Sequence, residues 1–289
     1  MQRVPSIAET RAALAAHRAA GRSVGFVPTM GYLHEGHLAL VRRSIEENDV
    51  TAVSVFVNPA QFGPEMDLDR YPRDIKGDEA KLAELGVDVL FYPSEEAMYP
   101  AGYSTWVEVE GLTERLDGGS RPGYFRGICT VVLKLFHIAQ PSAAYFGQKD
   151  IQQAMVIRRM VADLDLDLAV RVMPTVRADD GLALSSRNAY LSPADRALAP
   201  QLAAALGGAR ERFRGGELRA SELIEGVRAD LAAEPRFGLD YVDLVALATM
   251  QRIDEVREDA CLALAVDLAG TRLIDNVLLL PDGRPDDAL

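Results

Sequence analysis

Apolar residues recur along this chain in two spacings. Contiguous apolar or β-branched runs at Val24–Val27, at VTAVSVFV over 50–57, at Val87–Tyr92, at Ala143–Phe146 and over 168–173 predict buried strands. Between them the spacing widens to three and four, which predicts helices. Ser6-x-x-Glu9 is a capping-box pattern opening an alanine-rich helix that ends near Gly21. Leu38, Val41 and Ile45 mark a second helix, Ile75 to Leu85 a third closed by Gly86, 128–139 an apolar fourth, and Gln152-Gln153 opens a fifth. Strand and helix alternating in this way predict a parallel sheet with right-handed crossovers. Residues 104–110 read as a further strand at a sheet edge, and Gly118–Gly127 as a mobile loop carrying Arg121 and Arg126, a lid or a plain surface loop. From Ser192 the pattern changes to alanine-rich helices over 193–213 and 219–234, then strands near 240–247, 260–268 and 272–280. The expected fold is therefore α/β, a parallel-sheet domain over 1–176 with a smaller α+β domain over 177–289.

Composition narrows the class. A chain of 289 residues with 48% hydrophobic and 26% charged residues is globular and long enough for a sizeable core. Its net charge of -12 disfavours nonspecific attraction to nucleic acid or to an anionic membrane, while leaving room for a local basic site. Cys129 and Cys261, both among apolar residues, form no disulfide framework and no metal-type spacing. There is no apolar signal core and no membrane-length apolar run, so the expected location is cytoplasmic.

Candidate chemistry gathers where strands run into helices. After Val24–Val27 comes Pro28, then His34-x-Gly36-His37 at the start of the second helix. A helix N-terminus there offers unpaired N–H groups and the positive dipole end to an anion. Two histidines could donate to phosphate oxygens; the helix end disfavours a protonated imidazole and a bound triphosphate favours one. Gly31 and Gly36 allow close backbone approach. The loop from Asn58 to Arg73 carries Asn58-Pro59-x-Gln61; Asn58 and Pro59 could equally just end the strand. Both loops leave strand carboxyl ends, where ligands bind in such sheets, so they could line one cleft. Gly147-Gln148-Lys149-Asp150 repeats the strand–turn–helix plan. Lys149 could neutralise a phosphate or be a solvated turn lysine, Asp150 could cap the helix, and Gln153 could face the cleft. Leu184-Ser185-Ser186-Arg187-Asn188 suits oxyanion binding, or an ordinary loop or cap.

These blocks together resemble the pantothenate synthetase family. The segments that match are PTMGYLHEGH (Pro28–His37), FVNPAQF (Phe56–Phe62), DLDRYPR (Asp67–Arg73), FGQKDIQQ (Phe146–Gln153), PTVRADDGLALSSRN (Pro174–Asn188) and LIDNV (Leu273–Val277), in order across nearly the whole chain. Tyr32 and Gln148 stand at positions the family varies. The resemblance implies a Rossmann-like nucleotidyltransferase domain, a homodimer, ATP as co-substrate with Mg2+, and the substrates pantoate and β-alanine, joined through pantoyl adenylate. It implies an ATP site of Met30, Gly31, His34, Gly36, His37, Gly147, Gln148, Lys149, Asp150, Val176, Leu184, Ser185, Ser186 and Arg187. His37 would be the proton donor. Charge developing on the phosphates would be met by His34, His37, Lys149 and Arg187. Gln61 and Gln153 would hold pantoate, with Gln61 also near β-alanine, and the segment Ser185 to Arg187 would close over ATP. No metal ligand is implied. A nucleotidyltransferase with another acceptor and a noncatalytic nucleotide sensor are the rivals; the Gln61/Gln153 pair favours the ligase, since a sensor needs no second substrate pocket.

Overall fold

The computed structural model describes residues 1–63 and 68–284. Asp67, first residue of the DLDRYPR run, lies outside the described residues. In chain order the elements are β1 (Gln2–Val4), α1 (Ile7–Ala19), β2 (Val24–Thr29), α2 (Glu35–Glu47), β3 (Val50–Val55), α3 (Ile75–Leu85), β4 (Val89–Phe91), α4 (Glu95–Met98), α5 (Leu116–Ser120), α6 (Tyr124–Ala139), β5 (Ala143–Gly147), α7 (Ile151–Asp163), β6 (Ala169–Met173), α8 (Pro193–Leu198), α9 (Gln201–Arg214), α10 (Ala220–Ala232), β7 (Phe237–Ala246), β8 (Ala260–Leu268) and β9 (Thr271–Leu279). Short 3₁₀ turns cover Pro59–Gln61, Gln148–Asp150 and Ser186–Tyr190. The chain gathers into two units. The first holds 1–109, 121–147 and 156–173, and the second 110–120, 148–155 and 174–289.

In the first unit six strands form one sheet in the order β1-β4-β3-β2-β5-β6, every pair parallel. Every residue of β3 is buried, as its unbroken apolar pattern requires, whereas β6 at the edge is half exposed. The chain moves outward from β2 to β3 and β4, then crosses back to add β5 on the other side of β2. That reversal makes a switch point at the carboxyl ends of β2 and β5, where such sheets bind ligands. Thr29 pairs with Val55, so the loops after β2 and β3 leave the sheet at one level. Tyr145 is fully buried, and its hydroxyl donates to Glu47 Oε2 at 2.8 Å while accepting from Asn48 Nδ2 at 2.6 Å. The capping box at Ser6 and Glu9 opens α1 as read from the sequence.

In the second unit β7, β8 and β9 form an antiparallel meander backed by α9 and α10 over a core of Leu206, Leu223, Val227, Leu244, Leu262 and Leu264. Segments 110–120 and 148–155 precede residue 177 yet take their contacts here. Asp117 sits 2.6 Å from the guanidinium of Arg272 and accepts from the Tyr241 hydroxyl at 3.3 Å, and Asn276 Nδ2 donates to the carbonyl of Gln148 at 2.9 Å. Other readings also shift. The helix expected over 193–213 breaks at Pro200, which has no N–H to give. The Gly118–Gly127 loop is instead the end of α5 and the start of α6. Residues 104–110 join no sheet. β1, three residues long, was too short to show a period.

Candidate functional site

The histidine-bearing loop is shaped by backbone constraints first. After Thr29 the chain turns through two consecutive left-handed residues, Gly31 (φ 83°) and Tyr32 (φ 53°). A Cβ on Gly31 would lie 2.8 Å from Val55 Cγ1 and 3.0 Å from Asp78 Oδ2, so only glycine fits. Tyr32 has no such excuse and is held in place from outside. Its N–H donates to Asp78 Oδ2 at 2.8 Å, the N–H of Leu33 donates to Asp78 Oδ1 at 2.7 Å, and Lys81 Nζ donates to the Leu33 carbonyl at 2.6 Å. Asp78 and Lys81 thus clamp the loop from α3. Sequence reasoning missed both, because an acid and a base one turn apart on a helix look like an ordinary surface pair.

Burial pushes the Asp78 carboxyl above its ordinary range, and Asp74 adds to that, against the pull of the Leu33 and Tyr32 amides and of Lys81. A carboxyl whose folded value is raised contributes most below its unfolded pKa of about 4, and loses that contribution as pH rises through the folded value. Asp78→Asn also leaves one loop amide badly paired, at a cost of about 1–3 kcal/mol. Melting both proteins across pH is expected to show wild type ahead throughout, with its lead largest in acid and shrinking as pH rises. A lead independent of pH would remove Asp78 as the titrating group.

His34 and His37 are not loop residues. His34 is the N-cap of α2 and His37 stands three positions on, in a capping box built from two imidazoles. The Gly36 N–H donates to His34 Nδ1 at 3.1 Å, and the His34 N–H donates to His37 Nδ1 at 3.4 Å. The ring centroids are 4.1 Å apart. An Nδ1 that accepts carries no proton, so in the neutral ring the proton sits on Nε2. Both rings then present an Nε2–H donor at the positive end of a 13-residue helix.

Beside this loop an amide relay fixes Gln61, which is buried with Asn58. The Tyr99 hydroxyl donates to Asn58 Oδ1 at 2.7 Å; Asn58 Nδ2 donates to Gln61 Oε1 at 3.0 Å and to the Gly127 carbonyl at 3.2 Å; Gln61 Nε2 meets Met30 Sδ at 3.1 Å. The Gly127 carbonyl can only accept and the Ala60 N–H, 3.3 Å from Asn58 Oδ1, can only donate, so each amide of the relay has one orientation. Gln61 is left presenting its NH2 end, a donor, on the Met30 side. The loops that leave β2 and β3 touch through this Gln61–Met30 contact.

In the second unit Asn276, of the LIDNV segment, holds the turn that carries Lys149. Its Nδ2 donates to the carbonyls of Gln148 and Lys149, at 2.9 and 3.0 Å, and its Oδ1 accepts from Gln148 Nε2 at 3.3 Å. Asp275 next to it, itself buried, takes Arg177 in a two-pronged pair at 2.6 and 3.0 Å. Lys149 Nζ lies 3.8 Å from Asp150 Oδ1. The two adjacent glutamines divide their roles. Gln152 is consumed internally, accepting from the Asp117 N–H and donating to the carbonyls of Leu112 and Arg115. The side chain of Gln153, within α7, makes no hydrogen bond among the described residues. Val176 and Leu184 are brought together by the Leu184 N–H donating to the Val176 carbonyl at 3.0 Å. Ser185 caps the 3₁₀ turn, its Oγ accepting from the Arg187 N–H at 3.3 Å, and Ser186 is buried. Gly147 is the last residue of β5, in the first unit. Three buried side-chain oxygens near these segments, Gln148 Oε1, Thr175 Oγ1 and Asn188 Oδ1, have no hydrogen-bond partner among the described residues.

A parallel α/β sheet whose β2 feeds a histidine-capped helix offers an anion the positive end of that helix. The chain belongs to the pantoate-beta-alanine ligase family, whose model matches residues 2–278. The pantothenate synthetase of Pelotomaculum thermopropionicum is 54% identical over 95% of this chain and 97% of that protein. That of Moorella thermoacetica is 51% identical over 96% and 99%. Among solved structures, pantothenate synthetase from Thermus thermophilus superposes with a TM-score of 0.93 at 49% identity, covering 97% of this chain and all of that one. The Francisella tularensis pantoate-beta-alanine ligase, solved in complex with beta-gamma ATP and beta-alanine, gives a TM-score of 0.77 at 36% identity over 96% and 97%.

Proposed function

We propose that this protein condenses (R)-pantoate with β-alanine, using ATP, to give pantothenate, AMP and pyrophosphate. A pantoate carboxylate oxygen attacks the α-phosphorus, the bond to the bridging oxygen breaks and pyrophosphate leaves. The β-alanine amine then attacks the acyl carbon of pantoyl adenylate, an amide forms, and AMP leaves as the nitrogen loses a proton. The observation that carries this reading is the double imidazole cap. With both Nδ1 atoms accepting backbone N–H groups, each neutral ring keeps its proton on Nε2, a donor suited to the negative charge that grows on the departing phosphates. His37 gives its Nε2 proton to that charge, and His34 holds the phosphates beside it.

Met30, Gly31 and Gly36 give the nucleotide a close backbone surface. Gly147, Gln148, Lys149, Asp150, Val176, Leu184, Ser185, Ser186 and Arg187 complete the ATP site. Lys149 and Arg187 supply positive charge. The unpartnered Gln148 and Asn188 oxygens suit the amino and hydroxyl donors that an adenosine carries. Magnesium fits as a companion of ATP: among the described residues no group of three or more His, Cys, Asp or Glu could hold a metal, and Mg2+ needs few protein ligands beside phosphate oxygens. When bound it neutralises charge on those oxygens. The Gln61 NH2, fixed as a donor, holds pantoate oxygens without the close cation that would quench the attacking carboxylate, and lies near β-alanine. Gln153, with no internal partner, is the second pantoate contact. The parallel-sheet unit acts as the catalytic domain, and the second unit as a lid domain whose Ser185–Arg187 segment closes over ATP; proteolysis around 177–190 is expected to slow when ATP is added. We read the assembly as a homodimer. The compartment is the cytoplasm, consistent with two buried, unpaired thiols. No helix among the described residues is long and apolar enough to cross a membrane.

Pyrophosphate release from Mg-ATP tests this directly. Pantoate alone is expected to give a burst near one per site, and adding β-alanine is expected to convert it to steady turnover. Release that ignores pantoate would point to a different acceptor. Gln153→Ala is expected to raise the pantoate KM about tenfold with the ATP KM little changed, the loss of one good hydrogen bond to a charged group. The opposite split would reassign Gln153 to ATP.

A further inference from the structure

The amide relay that ends at Gln61 is gripped from outside its own loop at two points, and both lead to α6. Asn58 Oδ1 accepts from the Ala60 N–H at 3.3 Å, but Ala60 lies in the same 3₁₀ turn as Gln61 and moves with it. The other two contacts are long-range. Asn58 Nδ2 donates to the Gly127 carbonyl at 3.2 Å, and the Tyr99 hydroxyl donates to Asn58 Oδ1 at 2.7 Å. Tyr99 closes α4 and is seated in turn by Lys134. That ammonium donates to the Met98 carbonyl and stands 5.3 Å from the Tyr99 ring centroid and 4.3 Å from that of Tyr103. The two rings meet edge to face, 5.1 Å apart. Gly127 and Lys134 both belong to α6, two helical turns apart, so one face of that helix backs both grips. Lys134 is half-buried, burial lowers its pKa, and it forms no ion pair among the described residues. A carbonyl and two ring faces hold this cation where an acid would be expected. Burial pushes the Tyr99 phenol up, and Tyr103 adds to that, so the hydroxyl keeps the proton it donates.

We propose that Tyr99 is a positioning residue for pantoate: seated by Lys134, its hydroxyl holds Asn58, and through Asn58 it sets where Gln61 presents its NH2. The proposal rests on the reading that Gln61 holds pantoate oxygens. Neither Tyr99 nor Lys134 takes part in the two transfer steps. Packing of the chain after α4 onto α6 needs only the rings and the lysine stem; it does not need a phenol aimed at a buried amide. Without the hydroxyl, Gly127 is the one remaining grip on Asn58 from outside the loop. Gln61 Oε1 follows Asn58 Nδ2, and the NH2 at the other end of that amide is displaced with it. Such drift weakens contact with the substrate that Gln61 touches. It leaves ATP largely alone, because the loop from Met30 to His37 is held separately by Asp78 and Lys81.

The test uses the full chain. Tyr99→Phe deletes only the hydroxyl and Lys134→Met only the charge, and both leave Asn58 Oδ1 its Ala60 donor, so both variants are expected to fold. Circular dichroism checks this. Steady-state kinetics on Tyr99→Phe are expected to show the pantoate KM raised about three- to tenfold, the loss of one net hydrogen bond, with kcat and the ATP KM within about twofold of wild type. Lys134→Met is expected to move the same constant in the same direction by less. A double-mutant cycle with Gln61→Ala, read as the calorimetric Kd for pantoate, separates positioning from packing. Once Gln61 is gone, Tyr99→Phe is expected to change that Kd by less than about twofold. A Tyr99→Phe effect that persists undiminished beside Gln61→Ala, or that raises the KM of pantoate and ATP alike, would overturn the proposal. Tyr99→Phe that behaves as wild type would overturn it too, while leaving Gln61 in place. Gln61→Ala that binds pantoate as wild type does would instead overturn the reading of Gln61, and the proposal with it.

Discussion

His37→Ala is expected to lower pantoate-dependent pyrophosphate release by about 10²–10⁴-fold, the range for loss of one positioned proton donor. The fold is expected to survive. In the native state the ring caps α2, accepting the His34 N–H at 3.4 Å, and such caps contribute about 1 kcal/mol. A small drop in melting temperature beside a large drop in rate is therefore the expected signature. His37→Asn separates the two roles further: a side-chain oxygen can still accept from the backbone, so stability should recover while rate does not. Single-turnover pyrophosphate release and melting curves on both variants read this out. Near-normal release from His37→Ala would take His37 out of the chemistry, whatever the melting curves show.

The second large effect comes from a residue that touches no substrate. Gly127 lies in the first turn of α6, where a Cβ would sit 2.2 Å from the Ala60 carbonyl oxygen and 2.7 Å from the Gln61 N–H nitrogen. Those are rigid backbone atoms, so Gly127→Ala must push the Pro59–Gln61 turn away. The Gly127 carbonyl also accepts from Asn58, which aligns Gln61. The added methyl is expected to cost about 1–3 kcal/mol of stability as overpacking. It is also expected to raise the pantoate KM well beyond the roughly tenfold change at Gln153, because a 1 Å displacement of a positioned group alone can cost about 100-fold. The ATP KM should move far less, since the loop from Met30 to His37 is held separately by Asp78 and Lys81. Steady-state kinetics with each substrate varied in turn decides it; equal rises in both would show that the change spreads through the whole unit.

How far the sequence could be read depends on whether a feature is local. The strands β2, β3 and β5 and the helices α1 and α3 announce themselves by apolar period and by caps such as Ser6 and Gly86, all within a few residues. The alternating order of these elements then dictates a parallel sheet. His34, His37, Gln61, Lys149 and Arg187 were nameable because their motifs are contiguous. What stayed hidden is long-range. Asp78 is 45 residues from the Leu33 amide it accepts from, Asn276 is 128 from Gln148, and Tyr99 is 41 from Asn58. No period links such pairs, and each residue alone reads as an ordinary surface or strand residue. The transfer of 110–120 and 148–155 to the second unit was invisible for the same reason, since Asp117 finds Arg272 only once the chain has folded. The break at Pro200 is local, yet the alanine-rich period on either side runs straight through it.

The Asp78 clamp has a consequence in conformational entropy. Tyr32 occupies a left-handed backbone region that a non-glycine residue visits rarely, and freezing it and the freely rotating Gly31 beside it costs about 1–2 kcal/mol per residue at room temperature. Because a buried carboxylate and a lysine from α3 fix the Tyr32–Leu33 backbone, that loss is incurred when the domain folds and not again when a nucleotide arrives. A triphosphate meeting His34 and His37 finds donors already at rest, so the hydrogen bonds it makes there are kept as affinity and as stabilisation of the developing charge instead of being spent on ordering a floppy turn.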